Sequence, residues 1–435
     1  MAFGCGRKIK IYVLKMRIKE LKEYIAEFDF SALYKNTAEA RERYLSAIAE
    51  YERLYGDSDD VAVLSVPGRS ELLGNHTDHN GGKVLAGAID RDVIAVVSKT
   101  DDGIITVKSE GYPIEEIPTD SISSKDKFGR YTSASLIAGV ADGIVKRGGA
   151  IGACRAYITS DVPKGSGISS SAAYEVMIGN IFNHLYNGGE IANTEIAKIS
   201  QYAENVYFGK PSGLMDQMAC AVGGFVYIDF ADKENPVIKP IDFSLGDAGY
   251  ELCIVNTGGN HADLNEDYAS VPAEMRAVAS VLGREVLSGV GEDELLSRIC
   301  EIRTSSGDRA LLRAIHFVRE NERVERGAKA LKSGNADEFF DIVNASGRSS
   351  FEYLQNVYTN KNVKEQGISL ALALTDGVGE SVRALRVHGG GFAGTIQAYV
   401  KRDGVDSYVE LMNGVFGEGA VMCLTVRPVG AIRVI

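Results

Sequence analysis

Positive charge is in short supply in this 435-residue chain, with 47 Lys and Arg against 59 Asp and Glu and a net charge of −12. That balance argues against a general nucleic-acid binder and against a protein that rests on anionic membranes. It leaves room for a small anionic ligand, because local donors outweigh distant charge. Cysteine is sparse as well: Cys5, Cys154, Cys220, Cys253, Cys300 and Cys423 are scattered, with no CxxC pair. This spacing fits reduced thiols in a cytoplasmic protein better than a disulfide framework or a zinc site. No apolar run reaches membrane-spanning length, and Ile11-Tyr-Val-Leu14 is too short for a signal-peptide core. The first fifteen or so residues read as a tail, consistent with an upstream start codon. Internal repeats, low-complexity blocks and heptad runs are missing too.

What is present is the composition of an ordinary soluble protein, 45% apolar and 24% charged. The length suffices for two or three domains with full cores. Amphipathic helices are expected at Ile18–Phe28 and Thr37–Leu54, and a strand at Val61–Val66 ending at Pro67-Gly68. Further strands are expected at Val84–Ala88, Val93–Lys99, Gly103–Glu110 and Arg155–Ser160, with helices at Tyr131–Lys146, Ala172–Tyr186, Thr194–Tyr207 and Gln217–Val222. A boundary near 240–248 separates these from a second half that opens with a strand at Tyr250–Asn256. Helical periodicity then dominates 271–283, 293–301, 308–332, 335–345 and 363–375. Strands at Arg383–Val387, Thr395–Val400 and Val421–Pro428 complete the expected α/β (α+β) chain.

Three stretches carry chemistry. Asp161-Val-Pro-Lys-Gly-Ser-Gly-Ile-Ser-Ser-Ser-Ala-Ala-Tyr-Glu-Val176 joins a strand to a helix through glycine and serine. Glycines let an anion approach the backbone, and the unpaired N–H groups of a helix start favour negative charge, so the loop suits a phosphate. The same residues also fit a plain turn capped by serine. Arg69-Ser-Glu-Leu-Leu-Gly-Asn-His-Thr-Asp-His79 crowds cationic, amide and acidic groups, as a polyhydroxylated ligand requires. His76, Asp78 and His79 could instead form a metal cluster or a solvated loop, although no HExxH or matched Cys/His set is present. Finally, Gly213 delivers Asp216 to a helix start, where an acid also serves as a simple cap.

Common alternatives find no support. His388-Gly-Gly-Gly-Phe-Ala-Gly394 contains GxGxxG but is not followed by a convincing helix, and Glu410 is only loosely in register for a ribose-binding acid. There is no GxxxxGK[ST] and no GxSxG. Phosphoryl transfer needs a cradle of N–H groups, magnesium ligands, a base and a cation, and Arg69, Asp216, Glu204, Ser170 and Ser171 are of the right types.

In this order, the motifs resemble those of the GHMP small-molecule kinases and, within them, the galactokinases, over nearly the whole chain beyond about residue 35. Pro67–Asn80 is similar to the sugar signature, Pro163–Ala173 to the ATP-phosphate loop, Ala203–Gln217 to the segment with the catalytic acid, and Val387–Gly394 to the third glycine motif. The resemblance implies a two-domain GHMP kinase fold. Residues 1–35 would be a tail and first helix, 36–245 a ribosomal-protein-S5-domain-2-like domain, and 246–435 a ferredoxin-like domain. It implies ATP and Mg2+ as cofactors, a sugar as substrate, no nucleic-acid or membrane partner, and a monomer or weak homo-oligomer. Asp216 would accept the proton of a galactose C1 hydroxyl attacking the γ-phosphate, giving galactose 1-phosphate and ADP, with Arg69 against that oxygen. Asn75, His76, Asp78, Gly213 and Tyr268 would line the sugar pocket. Pro163, Lys164, Gly165, Ser166, Gly167, Ile168, Ser169, Ser170, Ser171 and Ala172 would hold ATP, and Ser171 and Glu204 the magnesium.

This chain departs from the pattern in places. Asn75 stands where galactokinases usually have a glutamate contacting O6, and Glu71 where an asparagine is common. An amide tolerates a carboxylate at C6, which makes galacturonate an alternative substrate beside N-acetylgalactosamine or arabinose. The Glu-Leu-Asp pattern of the family is hard to find around Lys364–Gly367. With no tryptophan, the adenine pocket must use other apolar residues. A non-catalytic galactose sensor would lack part of the serine loop, whereas Ser169–Ala173 is uninterrupted.

Overall fold

A computed structural model describes residues 16–163, 167–259 and 264–435. Two helices lead, α1 (Ile18–Glu27) and α2 (Thr37–Tyr55). They are followed by β1 (Ala62–Leu73), β2 (Lys83–Lys99), β3 (Ile104–Ser109) and β4 (Ile114–Pro118). The strand expected to stop at Pro67-Gly68 runs on to Leu73, so Arg69 and Glu71 sit within β1. The pairing with β2 slips at Pro67/Arg69, a bulge that absorbs the proline without ending the strand. Two expected strands, Val84–Ala88 and Val93–Lys99, are one long β2. Its first half pairs with β6 (Phe225–Asp229) and its second half with β5 (Cys154–Ser160).

After α3 (Ser133–Lys146) and β5 (Cys154–Ser160) come α4 (Ser170–Tyr186), α5 (Asn193–Tyr202), α6 (Met215–Val222), β6 (Phe225–Asp229) and β7 (Val237–Ile241). Among the described residues this first sheet has the order β12-β1-β2-β5-β3-β4, with β6 and β7 branching from β2. α3 to α6 cover one face, burying Ile137, Val176, Ile196 and Met218 against Val66, Ala95 and Leu85. On the other face Leu21, Ile25, Tyr44, Ile48 and Tyr51 of α1 and α2 pack on Val63, Ile94 and Val96. The alternation of strand side chains between two covered faces explains why β1 is buried throughout.

The second half opens with β8 (Tyr250–Asn256) and continues through α7 (Asn265–Val281), α8 (Glu292–Ser297), α9 (Ile299–Ser306), α10 (Asp308–Lys332), α11 (Ala336–Ser349) and α12 (Gly367–Gly377). It finishes with β9 (Val382–His388), β10 (Thr395–Lys401), α13 (Val405–Phe416), β11 (Val421–Leu424) and β12 (Ile432–Arg433). The second sheet is antiparallel in the order β11-β8-β10-β9. In its own numbering that is 4-1-3-2, the ferredoxin-like arrangement. Helix α13, absent from the sequence reading, buries Val405, Tyr408 and Met412 on this sheet. The short β12 crosses back to pair with β1.

One buried junction ties distant segments to the loop after β5. Asp92 accepts hydrogen bonds from Tyr34, Ser65 and Arg43 and contacts Arg427, and its own N–H donates to Asp161 Oδ1 at 2.6 Å. Asp161 is paired in turn with Arg43 (3.1 Å) and Arg91 (3.2 Å). These residues anchor the start of the loop that leads into α4.

Candidate active site

The site forms where β1, the start of α4, the segment before α6 and the glycine turn between β9 and β10 converge. Arg69, carried inward by β1, is almost fully buried. Its Nε and Nη2 both reach Asp216 Oδ1, at 2.8 and 2.7 Å, and its Nη1 donates to the Gly167 carbonyl at 2.5 Å. Asp216 Oδ2 accepts from the Ser169 hydroxyl at 2.5 Å. Ser169 sits at φ 61°, a left-handed conformation rare for a side-chain-bearing residue, just before α4. Burial alone would push the Asp216 carboxyl up, but Arg69 and the Ser169 hydrogen bond hold it below the ordinary carboxylate value. Asp216 is therefore an ionised acceptor, placed in the first turn of α6 rather than before it.

A cavity of about 220 Å³ opens beside this pair, lined by Arg69, Asn75, His76, Asp78, Gly213 and Asp216 among others. It is below the ~300–1,000 Å³ typical of drug-sized pockets and suits a small polar ligand. A larger cavity of about 960 Å³ lies elsewhere, near Thr257, Lys361 and Phe392, and neither Arg69 nor Asp216 lines it.

His76 is itself left-handed (φ 61°), and its Nε2 donates to the Gly390 carbonyl at 2.8 Å. Burial lowers its pKa to about 4, so the ring is neutral, with Nδ1 as an acceptor. A Cβ on Gly213 would lie 2.3 Å from Asp78 Oδ2, so only glycine lets the acid take its place. Gly213→Ala is expected to displace Asp78 and raise KM for the small polar ligand of this cavity by roughly 10–100-fold, measured by steady-state kinetics.

Asn75 is wholly buried and its amide is fully committed. Nδ2 donates to Glu71 (3.1 Å) and to the Gly389 carbonyl (2.7 Å), while Oδ1 accepts from Asn356 (2.7 Å). Its main-chain carbonyl lies 3.0 Å from His316 Nε2. Tyr268, expected to line the same pocket, is not among the cavity residues. It packs behind Gly390, and its hydroxyl donates to the Gly391 carbonyl at 2.8 Å, so it braces the turn that His76 grips. His388 is buried between Ser70 and Thr395, and burial next to Arg69 and Arg386 lowers it to about 3, which makes it a neutral packing residue.

The loop containing these residues is held from behind by Glu320. Its carboxylate accepts from the Gly74 N–H (3.0 Å), Ser346 (2.5 Å) and Arg323 (2.6 Å). Burial opposes the charge, but Arg323, His316, Arg386 and Ser346 bring the pKa down to about 2. A depressed folded-state pKa contributes stability above the unfolded value of about 4.3, and that stability is lost as pH falls toward about 2. Glu320→Gln is expected to cost about 3–5 kcal/mol at pH 7 by leaving Arg323 unpaired, and to flatten the stability profile in that acid window. Urea unfolding followed from pH 7 to pH 2 tests both.

Of the residues expected to hold ATP, Lys164, Gly165 and Ser166 lie outside the described residues. Pro163 and Gly167 flank them, Ile168 and Ala172 turn their side chains into the core, and Ser170 and Ser171 occupy the first turn of α4. That turn offers free N–H groups next to Asp216. Glu204, on a π-helical turn after α5, is only 3% exposed. Its Oε1 lies 2.8 Å from Lys210 Nζ, and its Oε2 accepts from Gln217 Nε2 at 2.8 Å. The same amide nitrogen donates to Glu175 at 3.1 Å. Burial, reinforced by Glu204, pushes Glu175 well above the ordinary range. Lys210, Gln217 and Glu175 were not singled out from sequence. The i, i+4 spacing of Ser171 and Glu175 on one helix face, and the adjacency of Asp216 and Gln217, were the available signals.

Comparison with known proteins accords with this geometry. Residues 49–99 match the family model of the galactokinase galactose-binding signature, and residues 135–224 that of the GHMP kinases N terminal domain. The galactokinase of Streptomyces coelicolor is 31% identical over 376 residues, covering 84% of this chain and 91% of that protein. The galactokinase of Lacticaseibacillus paracasei is 30% identical, covering 81% and 88%. Among solved structures, Lactococcus lactis galactokinase complexed with galactose superposes with a TM-score of 0.76 at 24% identity, covering 90% of this chain and all of that one. A mevalonate kinase follows at 0.58 and 14%, covering 83% and 98%. The chain belongs to the galactokinase family of the GHMP kinases and is a sugar kinase.

Proposed function

We propose that this enzyme transfers the γ-phosphoryl group of ATP to the C1 hydroxyl of galactose, giving galactose 1-phosphate and ADP. The observation that carries the reading is Asp216, held ionised by Arg69 and Ser169 between a small polar cavity and the start of α4. The sugar oxygen bonds to the γ-phosphorus as the bond to the bridging oxygen of ADP breaks, and Asp216 takes the hydroxyl proton. Arg69, in contact with both Asp216 and the loop carbonyl of Gly167, stands where it can favour the alkoxide and the charge spreading over the phosphoryl oxygens. The N–H groups at the start of α4 receive the phosphates.

The residues fit magnesium. Glu204, Ser170 and Ser171 are hard oxygen donors, and a cationic ammonium already rests on Glu204 Oε1. When bound, the ion would neutralise charge on the phosphate oxygens.

A C6 carboxylate finds no free donor at Asn75, and the neighbouring Glu71 carboxylate would oppose it. This favours a neutral hexose over galacturonate. A coupled ADP-release assay across a panel of sugars is the test, with galactose the expected acceptor. Turnover of galacturonate but not galactose would overturn the substrate assignment, and galactose binding with no turnover of any sugar would point to a sensor.

A further inference from the structure

Lys210 takes no part in the proposed phosphoryl transfer, yet it is built into the site. The π-helical turn Ala203–Phe208 ends at Gly209 (φ 89°), and the N–H groups of Gly209 and Lys210 both donate to the Glu204 carbonyl, at 2.9 and 3.1 Å. This folds the chain back, so that the Lys210 ammonium lies 2.8 Å from Glu204 Oε1. The two partners differ sharply in exposure: the Lys210 side chain is 55% exposed and lines the cavity, whereas that of Glu204 is 4% exposed.

Behind Glu204 stands a second carboxyl group, that of the fully buried Glu175, joined to it through the single amide group of Gln217. Glu175 Oε1 and Gln217 Oε1 are buried oxygens without a hydrogen-bond partner among the described residues. The cluster is thus rich in oxygen acceptors, and Lys210 is the cation that contacts Glu204 in it. A buried carboxylate needs a counter-charge. An ammonium on a long, half-exposed side chain supplies one that can leave, because ion pairs open to water are weak and their side chains are mobile.

We infer that Lys210 is the resident counter-ion of Glu204, and that a divalent cation must displace it to bind. The lysine keeps Glu204 compensated and aimed at the cavity while no metal is present, then swings out into the cavity when the metal takes Oε1. The inference rests on the reading of Glu204 as a metal carboxylate, and it makes Lys210 a competitor that weakens metal binding.

The test is Mn2+ binding to the full-length, metal-free protein without nucleotide or sugar, with free Mn2+ counted by electron paramagnetic resonance. Lys210→Met and Lys210→Gln are expected to lower the Mn2+ Kd by roughly tenfold, since each removes the competing charge. Lys210→Arg should stay close to wild type, and adding Glu204→Gln to Lys210→Met should abolish the gain. A Kd for both neutral variants within about twofold of wild type, or a gain that survives Glu204→Gln, overturns the inference. Because the readout needs no turnover, the kinase reading is tested separately. A protein that phosphorylates no sugar yet gains Mn2+ affinity on Lys210→Met refutes that reading and supports this one.

Discussion

Asp216→Asn is expected to lower kcat by about 10²–10⁴-fold while changing sugar affinity by no more than about threefold. Asparagine is nearly isosteric and can still accept from Ser169 through its carbonyl. It cannot take a proton, and it leaves Arg69 without its charged partner. The separation of the two effects is the informative part. In the proposed arrangement the sugar is held by His76, Asp78 and the glycine turn, whereas Asp216 bonds to Arg69 and Ser169. Calorimetric titration with galactose beside a steady-state assay checks both halves. A variant that keeps more than about a tenth of wild-type kcat would remove the general-base assignment.

Arg69→Met is expected to cost about 10²–10³-fold in kcat and also to move the pH dependence. In the wild type, Arg69 opposes the effect of burial on Asp216, so the carboxyl titrates below the ordinary value of about 3.9. In the proposed mechanism activity requires the ionised acid and is lost as pH falls through its pKa, so the acid limb of kcat/KM is expected below that value. Without the guanidinium the largest opposition to burial is gone, Ser169 alone does not replace it, and the limb shifts upward. Arg69→Lys restores a charge but not the fork that spans Asp216 and the Gly167 carbonyl, so it should recover the pH profile better than the rate. An acid limb unmoved in Arg69→Met would mean that the arginine does not set the ionisation of Asp216.

Much of this site was legible in the sequence because its parts are local. Gly213 and Asp216 sit within four residues of one another, and the spacing of a turn and a helix start survives in the linear pattern. The strand, loop and helix around Gly167 were legible for the same reason. What the pattern could not carry was closure through space. Asn75 looks like a free amide facing a ligand until Asn356 and Gly389, both more than 280 positions away, are brought against it. Tyr268 reads as a pocket wall, whereas its ring lies behind Gly390 because that residue has no side chain to keep it out. Pro67-Gly68 looks like a strand end, since proline removes a ladder donor, but a bulge lets β1 pass through it and bring Arg69 inside. Helix α13 escaped notice because Gly404, Gly414 and Gly417 in and around it read as turns, although Val405, Tyr408 and Met412 form its buried stripe.

The junction at Asp92 bears on how the protein moves. Loops that carry function ordinarily open by local fraying, at far lower free energy than global unfolding. The foot of the loop between β5 and α4 is denied that route. Asp161 is clamped to Asp92, and Asp92 is shared by Tyr34, Ser65, Arg43 and Arg427 from four separate stretches of chain. Releasing Asp161 fully means breaking a cluster that the N-terminal helices and the C-terminal residues hold in common. These segments should therefore behave as one cooperative unit in native-state hydrogen exchange, with the Asp92 and Asp161 amides exchanging as slowly as the centre of the sheet.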